Sequence, residues 1–79
     1  MSPTVFREDG FRFFFFSREE KRRHVHVYGP DGEAKFWLEP QISLARNHGF
    51  SPIQLAKIRN IINAHRDELL RAWNHYFST

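Results

Sequence analysis

His24-Val25-His26 places two imidazoles two residues apart, and Ala34-Lys35-Phe36-Trp37 supplies an ammonium and an indole shortly downstream. In an extended strand, residues two apart share a face and stand about 7 Å from one another. Two imidazoles on one face can divide proton transfer near neutral pH. A neighbouring Lys35 can stabilise charge that develops on a phosphate. A metal-independent ribonuclease needs these groups: a base for the 2′-hydroxyl proton, an acid for the leaving oxygen and a cation near phosphorus. Tyr28 or Trp37 could stack a base, as in readers of single-stranded RNA. Arg12, Arg22 and Arg23 are candidates for contacts to such a substrate.

Two other uses of the same residues compete with catalysis. His-x-His on a strand can supply two metal ligands, with Glu33 or Glu39 as a third. Lys35 opposite His26 would oppose a cation, so this use ranks below RNA chemistry, and no metal or other cofactor is implied. Alternatively the patch is a half-buried polar surface or an interface, since aromatics with His and Arg are common where chains meet. The remaining histidines offer less. His65 falls at the edge of an apolar helical stripe and reads as a hydrogen-bonded boundary residue. His48 and His75 read as exposed. Arg59, Arg66 and Arg71 fall on the outer side of the helix, where a solvated face is the default. No Gly-rich phosphate loop, Ser-His-Asp order or zinc-finger spacing occurs.

Positioning these groups requires a sheet. Residues 3–7 read as a first strand, and Glu8-Asp9-Gly10 as a hairpin turn. Residues 11–17 form the second strand, with Phe11, Phe13 and Phe15 on one face and Arg12, Phe14 and Phe16 on the other. Residues 18–23 are a charged connection. Residues 24–28 and 33–39 pair across Gly29-Pro30-Asp31-Gly32. The expected register sets Tyr28 opposite Glu33, His26 opposite Lys35 and His24 opposite Trp37. Val25, Val27, Ala34 and Phe36 then share the apolar face. Residues 41–46 read as a short fifth strand, with Ile42 and Leu44 inward, or as a helical turn. Residues 51–77 read as one long amphipathic helix. Ser51 is its N-cap, Pro52 opens it and Gln54 completes a capping box. Leu55, Ile58, Ile62, Leu69, Trp73 and Tyr76 form its apolar stripe. The expected fold is α+β: an antiparallel sheet of four to five strands with that helix on one face.

The chain has 79 residues, enough for a single domain covering 1–79, with sheet over 1–46 and helix over 51–77. Hydrophobic residues at 41% and charged residues at 27% exclude wholesale disorder. Nine Phe help fill a core that so short a chain can only build thinly. The absence of cysteine excludes disulfides, thiolate metal sites and a cysteine nucleophile. No apolar run is long enough to span a membrane, and the first residues lack a signal-peptide pattern. A cytoplasmic location is therefore expected. The net charge of +3 permits an RNA or acidic protein partner. An exposed Phe14/Phe16 patch would favour a homo-oligomer formed through the sheet.

Several strings together resemble the small bacterial proteins of the domain-of-unknown-function (DUF) 4160 family. They are Pro3-Thr4-Val5-Phe6-Arg7, Arg12-Phe13-Phe14-Phe15, His24-Val25-His26-Val27, Ala34-Lys35-Phe36-Trp37-Leu38, Gly49-Phe50-Ser51 and Trp73-Asn74-x-Tyr76-Phe77. The resemblance covers nearly the whole chain. It implies a bacterial, cytoplasmic protein with a small cognate partner encoded by an adjacent gene, often of the DUF 2442 family. That neighbourhood resembles a type II toxin–antitoxin arrangement; added to the His24/His26/Lys35 patch, it leads to the expectation of a toxin-like, RNA-cleaving member, while the resemblance itself implies no activity. The alternative is a non-catalytic module that binds the cognate protein or a nucleic acid. Family members usually carry prolines just before His-Val-His, where this chain has Arg22-Arg23.

Overall fold

A computed structural model of the chain describes residues 4–16 and 21–77. Five antiparallel strands form one sheet in sequential order, followed by two helices. They are β1 (Thr4–Glu8), β2 (Phe11–Phe14), β3 (His24–Gly29), β4 (Gly32–Trp37), β5 (Ser43–His48), α1 (Pro52–Ala64) and α2 (Arg66–Phe77). Pro3 and Ser17 of the expected strands, and residues 18–20 of the expected charged connection, lie outside the described residues.

The hairpins form where turn chemistry demands them. Asp9 and Gly10 both adopt positive φ, 53° and 85°, the conformation of a two-residue turn whose twist matches its strands. The β3–β4 register is the expected one, with His24 opposite Trp37, His26 opposite Lys35 and Tyr28 opposite Glu33. Alternation then sends Val25, Val27, Ala34 and Phe36 to one face. There they join Phe11, Phe13, Leu38, Ile58, Ile61, Ile62, Leu69 and Trp73 in the core. Both helices contribute to this core. On the opposite face, Trp73 of α2 reaches the sheet at His24.

Ser51 caps α1 as expected. Its hydroxyl accepts from the Gln54 backbone N–H at 3.2 Å, and the Gln54 side chain accepts from the Ser51 N–H at 2.9 Å. Gln54 also donates to Asp31 at 2.7 Å, which ties the β3–β4 turn to the start of the helix.

The single long helix is corrected to two helices that meet at His65. The His65 backbone N–H is shared between the carbonyls of Ile61 and Ile62, both at 3.1 Å, and its φ of −109° leaves the helical range. A tertiary clamp holds the bend. His65 Nε2 donates to Glu8 of β1 at 2.9 Å, Nδ1 donates to Glu68 at 2.7 Å, and the ring stacks on Phe6 at 4.2 Å. Beyond the bend, Leu69, Trp73 and Phe77 follow one another every four residues against the core, so Tyr76 stays exposed rather than joining the stripe. The fifth strand also starts later than expected, and Leu44, though opposite Phe36 on the core side, is exposed on the edge strand. A bulge interrupts the strand just beyond it. Lys35 pairs with Arg46 but Phe36 pairs with Leu44, which leaves Ala45 unpaired at the edge of the sheet.

Both nitrogens of His65 face carboxylate oxygens, an arrangement that only the doubly protonated ring satisfies. The Glu68 hydrogen bond and then the Glu8 hydrogen bond raise its pKa above the ordinary value. The clamp therefore contributes fully below about pH 6.5 and is lost as pH rises through the raised value. In paired thermal melts, His65→Gln should cost about 1 kcal/mol at pH 6, with the gap to wild type closing toward about pH 9. A gap that stays constant or widens over that range would refute the clamp's charge.

Candidate functional site

Antiparallel pairing arranges the open face of the sheet, opposite the core, as rows that run across the strands. One row is Arg12, Tyr28, Glu33 and His48, contributed in order by β2, β3, β4 and β5. The next is Phe14, His26, Lys35 and Arg46. A third holds His24, Trp37 and Ser43. Each four-residue row spans about 14 Å, and neighbouring rows lie about 7 Å apart. Arg7 of β1 stands opposite Arg12 and extends the first row. Among the described residues, the first two rows thus carry Arg7, Arg12, Lys35 and Arg46 together with the carboxylate of Glu33.

Between the first two rows lies a concavity lined by Phe14, Phe16, His26, Glu33, Lys35, Arg46 and His48. Its volume of about 60 Å³ exceeds the ~10–15 Å³ that one water requires and suits a group the size of a phosphate. His26 is 6% exposed and Lys35 8%, so both reach this space from a nearly buried position. The His26 ring is held by Phe16 at 4.4 Å and Phe14 at 5.5 Å.

His24 stands apart from the concavity. Its ring lies 5.2 Å from that of His26, so the two imidazoles are adjacent as the spacing implied. Yet His24 is 0% exposed, closed in by Trp37 at 5.6 Å and by Trp73 of α2 at 5.0 Å. Its Nδ1 lies 2.6 Å from the Arg22 carbonyl. A carbonyl only accepts, so Nδ1 carries the proton. His24 thus backs His26 rather than facing a ligand.

The other expected residues divide. Tyr28 is 56% exposed on the first row, free of cover on the open face. Arg12 lies on the same row, its Nε donating to Thr4 at 2.6 Å and its guanidinium 4.3 Å from the Phe14 ring. Trp37 is already engaged by two cations, Arg22 at 4.2 Å and Lys35 at 4.5 Å from the ring. Arg22 also donates twice to the Glu39 carbonyl. Arg23 turns toward the helices, bonded to the Glu39 carboxylate at 3.1 Å and to Asn74 at 2.9 Å. Glu39 is thereby occupied. Among the described residues, no three His, Asp or Glu side chains cluster so as to hold a metal ion.

Arg46 and His48 are the lining residues that sequence reasoning missed. An unbroken strand would turn Arg46 inward with Ile42 and Leu44, and the bulge at Ala45 returns it to the open face. The available signal was Asn47-His48-Gly49. Asn47 clasps the Phe50 backbone through both its amide atoms, and Gly49 takes φ 102°. That turn lets the strand run on to His48.

The chain belongs to the DUF4160 family. The model of this family, described as "Domain of unknown function (DUF4160)", matches residues 10–74 of the 79. The match includes every residue that lines the concavity and leaves out β1. No curated protein and no solved structure matches the chain. The DUF4160 description carries no activity, so function has to be argued from the open face itself.

Two substitutions test this geometry. His24→Ala would leave a void among Trp37, Trp73 and His26, and should cost about 2–3 kcal/mol in urea unfolding. A loss below about 0.5 kcal/mol would mean that the ring is not packed as described. Gly32→Ala would drive a methyl into the His48 carbonyl. It should displace the end of β5 and cost about 1–3 kcal/mol, read in the same unfolding series and as shifted His48 resonances. Unchanged stability and unchanged resonances would refute the close approach of β4 to β5.

Proposed function

We propose that the open face binds single-stranded RNA, and that the chain is the RNA-directed, toxin-like member of a bacterial toxin–antitoxin-type pair. The observation that carries the RNA reading is the pair of cationic rows bracketing a phosphate-sized concavity. Phosphate contacts supply most of the affinity for nucleic acid. Arg7, Arg12, Lys35 and Arg46 are placed on one surface to provide them. Exposed Tyr28 and Phe16 offer flat rings at the margins of the same face, suited to unstacked bases. The role in a pair rests on the neighbourhood that the family resemblance implies, and a small cognate protein would be the partner.

The alternative is a module that binds the cognate protein and does not engage RNA. Its support is the exposed apolar surface of Phe16 and Leu44. Salt separates the two readings. Binding of a fluorescent single-stranded RNA oligonucleotide should weaken steeply with salt, with a log–log slope of about −3 for four phosphate contacts. The Arg12→Gln/Arg46→Gln pair should weaken binding about tenfold or more and make the slope shallower by about one. Failure to bind RNA at low salt, beside a salt-insensitive complex with the adjacent gene product, would replace this proposal with the alternative.

A further inference from the structure

Resting on the RNA reading above, the geometry points to His48 and His26 as an acid–base pair that cleaves RNA by transesterification, with Lys35 and Arg46 holding the phosphate. The two imidazoles line one concavity from different strands and adjacent rows. Lys35 of β4 lies between the strands that carry them, and Arg46, its partner on β5, stands one row from His48. A phosphodiester seated in the concavity over β4 has His26 on its β3 side and His48 on its β5 side. In-line displacement at phosphorus needs this arrangement, because the attacking and leaving oxygens lie on opposite sides of the phosphate. His24 takes no part in the proton transfers, since its ring is sealed off beneath Trp37 and Trp73.

The step balances without a metal or a co-reactant. One imidazole takes the 2′-hydroxyl proton as that oxygen bonds to phosphorus. The bond between phosphorus and the 5′-oxygen breaks, and the other ring, protonated, gives its proton to the departing oxygen. The products are a 2′,3′-cyclic phosphate and a 5′-hydroxyl. Lys35 and Arg46 offset the charge that builds on the phosphate oxygens. Glu33, opposite His48 in the register, is placed to orient that ring.

The test is a cleavage assay with the purified full chain, a labelled single-stranded RNA and the DNA of the same sequence, run in chelator. The expected result is cut RNA ending in a 2′,3′-cyclic phosphate, intact DNA and a bell-shaped pH–rate profile. His48→Gln should lower the rate by about 100-fold or more and remove one limb of the bell, with RNA affinity and melting temperature near wild type. His48 is exposed, so this variant is expected to fold. His26→Gln, examined where its melting curve shows it folded, should remove the other limb. A His48→Gln protein as fast as wild type would overturn the inference. RNA that binds but stays intact would overturn it too, while leaving the RNA-binding reading in place. No binding at all would remove both.

Discussion

Pairing of β3 with β4 around Pro30 and Asp31 decides what every other part of the molecule faces. With Gly29 against Gly32, the pleat directs Val25, Val27, Ala34 and Phe36 under the helices and His26, Lys35 and Glu33 to the open side. A slip of one residue would exchange the two sets. It would expose side chains whose burial contributes about 1.5–3 kcal/mol each for the larger ones, and it would press an ammonium and an imidazole into the core. No stabilisation from the polar face could offset that. The register is therefore held by the core, and the open face inherits its order from packing on the other side of the sheet.

That inheritance explains how so small a chain keeps cations in fixed positions. Long basic side chains ordinarily lose much entropy when a ligand fixes them. Here Arg12 lies over Phe14, and both Arg22 and Lys35 lie over Trp37. Cation–π contacts of this kind hold a charge near a rigid ring without neutralising it. The aromatic content thus serves both faces. Phe13, Phe15 and Phe36 fill the core, while Phe14 and Trp37 floor the cationic rows. Among the described residues, no buried side-chain nitrogen or oxygen lacks a hydrogen-bond partner, so this polar layer carries no unsatisfied groups.

The hairpin register, the helix start and the two-faced sheet were legible in the sequence because each depends on neighbours along the chain. Gly29-Pro30-Asp31-Gly32 marks its own turn, and Ser51-Pro52-x-Gln54 its own cap. The departures are all long-range. His65 looks like an ordinary helical position until Glu8, 57 residues away, reaches its ring. The bulge at Ala45 has no local signature, yet it decides whether Arg46 faces the core or the concavity. His24 and His26 are alike in spacing, type and strand. Only the arrival of Trp73 from the far end of the chain buries one and leaves the other beside open space. The identity of the candidate residues could thus be read locally, but their accessibility could not.

The candidate site accordingly depends on a strand whose position is set from outside it. β5 is an edge strand, and its pairing is interrupted beside Arg46. Three tethers hold it. The Gly32 backbone lies directly against the His48 carbonyl, Asn47 clasps Phe50, and Arg59 of α1 donates to the Ile42 carbonyl at 2.9 Å. Gln54 adds a link from the α1 cap to the turn that precedes β4. The start of α1 and the edge of the sheet are thus joined on both sides of the concavity. Arg46 and His48 keep their distance from His26 and Lys35 only while α1 stays seated.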